Sequence, residues 1–201
     1  MRLLTLYLRS RYVLPALAAA GTATVGSWTL WSVFSDERDV GIQMVVVTVL
    51  ILVAALTATL DGPDDELDGT GALRWRPRRA AYLLMVLIVV VALMLVTQLT
   101  GTRFGPSALV VRDAAGLLGL TALSAVVLGT ARAWFLPLGW TLAAVLFPHT
   151  DTVTGRILTW QAQAPGDTAA VSTAAVLALG GLVAYAWYGS ARRAPAEAAQ
   201  R

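Results

Sequence analysis

An all-α integral membrane protein, built as a bundle of six transmembrane helices, is the fold this sequence predicts, and three observations predict it. Of the 201 residues 57% are apolar and only 13% are charged. That is roughly half of the ~25% charge of a soluble domain, so much of the surface is made to face hydrocarbon. The apolar residues gather into runs of about 20, the length that crosses a bilayer as a helix. All fifteen basic residues are arginine, and they cluster at the ends of those runs, where positive charge sets orientation.

The chain opens with MRLLTLYLRSRYVLP, in which arginines are interleaved with leucine and tyrosine before Pro15. As a helix it brings Leu3, Leu4, Tyr7 and Leu8 to one face, which suits a segment lying in the membrane interface. As an irregular segment it is a basic flank that orients the first span. Both readings of residues 1–14 are open. The whole chain, 1–201, then reads as a single transmembrane domain with spans at 12–34, 40–60, 80–99, 108–129, 133–147 and 168–188. The second and third, carrying MVVVTVLILVAALTATL and AAYLLMVLIVVVALMLVTQL, are the most continuously apolar. The fifth is short and interrupted by Pro137 and Gly139, so it is expected to bend or to span only in part.

Eleven arginines fall on the N-terminus, the loop 61–80, Arg132 and the C-terminus, against four (Arg38, Arg103, Arg112, Arg156) on the other side. Positive charge stays in the cytoplasm, so both termini and the loop 61–80 are expected to face inward. The lack of lysine and the abundance of alanine fit a bacterial cell membrane from a high-GC organism. On the outer side, RILTWQAQ is expected to form a short amphipathic helix, with Ile157, Leu158 and Trp160 dipping into the outer leaflet.

Most site chemistry is missing. With no cysteine and a lone histidine, His149, there is no thiolate or paired-histidine set for a metal. No GxxxxGK[ST] loop is present to cradle a nucleotide, and no serine sits in a nucleophile elbow. The net charge of +3 is accounted for by topology signals, so nucleic acid is not an expected partner. DGTGALR resembles the aspartate-rich motif of CDP-alcohol phosphatidyltransferases, but the following span, 80–99, holds no acid to complete a two-metal site. The chain is therefore not expected to be an enzyme or to carry a cofactor.

Three groups of residues remain as candidates. Trp28 and Trp31 lie three apart on the first span, and Gln43 and Gln98 near the outer ends of the second and third. Belt and backbone roles are the ordinary explanation, and a wall for an apolar or amphipathic substrate is the functional one. Arg112 and Asp113 are the one charged pair within a span; the expected arrangement puts them at the outer interface with Arg112 snorkelling. The small residues Gly116, Gly119 and Ala122, like Gly180, Gly181 and Ala184, predict close helix contact.

The loop 61–80, DGPDDELDGTGALRWRPRRA, is the most polar stretch, with five carboxylates followed by four arginines. As a short helix it carries acid at its N-terminus and arginine toward its C-terminus, complementing the helix dipole. Asp64, Asp65, Glu66, Leu67, Leu73, Arg74, Trp75 and Arg76 together offer apolar knobs set among charges, a surface suited to docking a soluble protein with Trp75 as anchor.

The layout resembles the membrane subunits of ABC exporters of the second type, the small permeases of high-GC bacteria. The resemblance is carried by DELDGTGALRWRPRRAAYLL, GLTALSAVVLGTARAWFLPLGW and ILTWQAQAPGDTAAVSTAAVLALGGLVAYAW, and by counterparts of an interface segment (1–15), a coupling helix (64–79) and an outer segment (148–167). It implies a homodimer or heterodimer of six-helix permeases in the lipid bilayer. It also implies an ABC ATP-binding subunit docked on the loop, with ATP and Mg on that partner. The alternative reading is a non-transport accessory or immunity protein that binds its partner through the same loop.

Overall fold

The computed structural model describes residues 13–35, 37, 39–57, 59, 75–100, 103–146 and 152–191. Among them lie seven α-helices and no strand, so the described part of the chain is all-helical. The helices are α1 (Val13–Phe34), α2 (Ile42–Thr57), α3 (Trp75–Val96), α4 (Ser107–Leu128), α5 (Phe135–Leu146), α6 (Val153–Leu158) and α7 (Thr168–Tyr188).

Local signals explain most of the boundaries. α3 starts five residues before the expected 80, because Pro77 falls in its first turn, where a missing N–H and a fixed φ are tolerated. A 3-10 turn, Thr97–Leu99, extends its far end. α4 stops at Gly129, whose φ of 82° is a conformation that side chains disfavour. α7 is capped at its start by Asp167, whose Oδ1 accepts from the Ala170 N–H at 2.8 Å, and stops at Gly189 with φ 70°. α5 has only 12 residues, about 18 Å at 1.5 Å per residue, well short of a bilayer core of about 30 Å. α2, at 16 residues, starts at Ile42, two residues after the expected 40.

Among the described residues, three helices are long and apolar enough to cross a membrane: Arg76–Leu99, Ser107–Leu128 and Thr168–Tyr188. α1 matches them in length at 22 residues. α4 is the hub. Of its apolar window 72% is buried, against 28% for α3 and 22% for α7. Its most extensive partner is α7. At their crossing Gly119 and Gly181 meet backbone to backbone, and a Cβ on Gly181 would stand 2.1 Å from the Gly119 carbonyl oxygen. The outward faces stay apolar: Ile88 is 67% exposed, Val145 70% and Val176 70%. Such faces belong to a helix set in lipid or against another apolar surface.

In chain order α1, α2, α3, α4, α5 and α7 alternate in direction, so that α4 and α7 run the same way, and the bundle has two distinct ends. At the upper end the loops pair, with the Val40 N–H donating to the Arg103 carbonyl at 2.9 Å and Phe104 fully buried beneath. At the lower end the Ala191 N–H donates to the Ala125 carbonyl at 3.0 Å, and Ser124 Oγ donates to the Arg132 carbonyl at 3.3 Å.

Candidate functional site

Of the docking-loop residues, Asp64, Asp65, Glu66, Leu67, Leu73 and Arg74 lie outside the described residues. Trp75 opens α3, and Arg76 follows it at the lower end. The Arg76 guanidinium lies over the Trp187 ring near the end of α7, 4.3 Å from its centroid. The Arg79 guanidinium packs against Gly189, where a Cβ would come within 2.7 Å of its Cζ. Tyr82 of α3 donates its hydroxyl to Thr59 Oγ1, just past the end of α2. The end of α2 is thus tied to α3, and the start of α3 is fastened to the exit of α7. Exposed Trp134, Phe135, Trp187 and Tyr188 ring the same end.

The second candidate group lies at the upper end. Trp28 Nε1 donates to Thr100 Oγ1 at 3.0 Å, and Trp31 Nε1 to the Glu37 carbonyl at 2.9 Å. Gln98 Nε2 donates to the Gly105 carbonyl at 2.9 Å, while Gln43 is exposed. Trp28, Trp31 and Gln98 each tie a helix end to a neighbouring loop.

Arg112 and Asp113 depart from the expected arrangement. Their side chains are 4% and 0% exposed, so Arg112 does not snorkel outward. Its Nε donates to Asp113 Oδ1 at 2.9 Å. Nη1 donates to the carbonyls of Gln163 (3.1 Å) and Ala164 (2.9 Å), and Nη2 to those of Gln161 (3.3 Å) and Gln163 (3.1 Å). All five guanidinium N–H groups are engaged. Residues 161–164 fold down over α4 because this charge gathers carbonyls within and after the 3-10 turn Trp160–Ala162. Trp160 therefore points inward. It is fully buried with its ring on Gly116, where a Cβ would stand 2.4 Å from the ring. The expected dip of Trp160 into the outer leaflet is corrected by this packing. A charged pair inside an apolar helix was a usable sequence signal for this centre; the cradle of backbone carbonyls was not.

Two pockets lie beside the contact of α4 and α7. The upper, about 530 Å³, is lined by Ser107, Val111, Arg112, Pro165, Val171 and Ala175. The lower, about 200 Å³, lies among α3, α4 and α7 and is lined by apolar side chains including Leu83, Leu87, Leu118 and Leu182. No family model, curated protein or solved structure matches the chain.

Proposed function

We propose that this chain is the membrane-spanning permease subunit of an ATP-driven, ABC-type exporter, coupled to a separate ATPase through the loop 61–80. In this reading α1–α5 and α7 lie in a bacterial cell membrane with both termini cytoplasmic, and two permeases assemble with two ATPases below them. The apolar outward faces support a lipid setting. So do the arginines Arg76, Arg78, Arg79 and Arg132, gathered with exposed aromatic residues at one end, the composition of a membrane–water interface.

One observation carries the coupling. Tyr82 and Thr59 join α3 to the end of α2 across the base of the loop, and Arg76 and Arg79 join the start of α3 to the end of α7. A force applied to the loop is therefore delivered to three helices together, α7 being the one packed along the central α4. The test is pull-down of the partner ATPase from membranes, normalised to inserted permease. Trp75→Ala is expected to weaken that association by about 1–3 kcal/mol, the range for an aromatic anchor, without reducing insertion. Wild-type binding by this variant, or absence of any nucleotide-binding subunit from the native complex, overturns the reading.

A further inference from the structure

Near the top of α4 several buried polar atoms lack a protein partner. Among the described residues, Asp113 Oδ2, Gln161 Oε1 and Nε2, and Trp160 Nε1 make no hydrogen bond, although Asp113 and Trp160 are 0% exposed and Gln161 2%. They belong to one neighbourhood. Arg112 donates through Nε to Asp113 and through Nη2 to the Gln161 carbonyl, and the Trp160 ring rests on Gly116, one turn further along the same helix. Leaving a buried polar group unsatisfied forfeits its hydration with nothing in exchange, so several together call for a ligand.

The chemistry of the set selects that ligand. The indole and the amide NH2 need an acceptor, while the carboxylate and amide oxygens need a donor. A cation is opposed by the Arg112 guanidinium, already 2.9 Å from the same carboxylate, and an anion is opposed by the carboxylate itself. A small neutral molecule that both donates and accepts matches the chemistry of all four atoms. We propose that this is an internal hydration site, in which bound water bridges Asp113, Gln161 and Trp160. The site stands whether or not the chain is a permease.

Hydroxyl-radical footprinting by X-ray radiolysis tests this on the full chain in detergent micelles, because radicals born in bound water oxidise the side chains beside it. Trp160 is expected to be oxidised in the wild type despite its burial. Gln161→Leu, which removes two of the unpartnered atoms, is expected to lower the Trp160 rate at least about fivefold by drying the site. The rate at Trp140 should be the same in both proteins. If Gln161→Leu fails to fold, Gln161→Met makes the same comparison. An unoxidised wild-type Trp160, or a rate that neither substitution changes, overturns the proposal.

Discussion

At the scale of single residues, the packing of α4 rests on places where a side chain has been omitted. Gly119 and Gly181 face each other so closely that a Cβ on Gly181 would stand 2.1 Å from a carbonyl oxygen, whereas a Cβ on the adjacent Gly180 would meet nothing within 4 Å. Gly181→Ala is therefore expected to destabilise the protein by roughly 1–3 kcal/mol through overpacking. Gly180→Ala should be neutral or slightly stabilising, since alanine is the better helix former. Thermal unfolding of both variants in detergent checks the contrast, and equal melting temperatures would refute the backbone contact. The Arg112 centre gives a second ordering. Arg112→Gln strands a buried carboxylate and the three carbonyls that the guanidinium gathers, a loss expected to reach about 3–5 kcal/mol. Asp113→Asn keeps an acceptor for Nε and leaves the carbonyl bonds intact, so about 1–2 kcal/mol is expected. Chemical unfolding of the two variants measures the order, and the reverse order would show that the carboxylate, not the carbonyl cradle, anchors the segment.

At the scale of elements, helix existence was legible and helix ends were less so. The period and length of the apolar runs announce α1, α3, α4 and α7 in the sequence to within a few residues, because a backbone in lipid must satisfy its own hydrogen bonds. α7 occupies the expected 168–188 in full, for Asp167 is a good N-cap and Gly189 a good stop. α3 begins earlier than its apolar run, since Pro77 and its arginine neighbours can start a helix as readily as they can flank one. The capping argument yields a test. Asp167 caps α7 and also accepts from Arg156 Nη1 at 3.5 Å, so Asp167→Ala should lower stability by about 0.5–2 kcal/mol. Asp167→Asn should keep most of the cap. Denaturation midpoints for the pair decide whether the cap or the partly exposed ion pair matters; an Asn variant as weak as the Ala variant would point to the ion pair.

At the scale of the whole molecule, alternation of the helices brings residue 59, the start of α3, the end of α4 and the end of α7 to one pole, and the Arg112 centre to the other. The arginine distribution predicts the same division with the first pole cytoplasmic. Single cysteines are a clean probe because the native chain has none. Cysteines placed at Asp36 and Arg156 are expected to react with an impermeant reagent from outside the cell, and one placed at Arg132 only after permeabilisation. Labelling of Asp36→Cys from the cytoplasmic side alone would break the six-span reading.

The sequence by itself determined an all-helical chain with apolar faces, the rough extent of its long helices and the sorting of its arginines. These follow from composition and local periodicity, which act within a few residues. Tertiary structure decided which glycines touch, because Gly180 and Gly181 have the same composition and differ only in which face of α7 meets α4. It also decided that Trp160 turns inward over Gly116 and that Arg112 is buried under the carbonyls of 161–164. Those contacts join residues about fifty positions apart, and a charge has no preference for a distant carbonyl until the helices have packed and excluded the water that would otherwise solvate it.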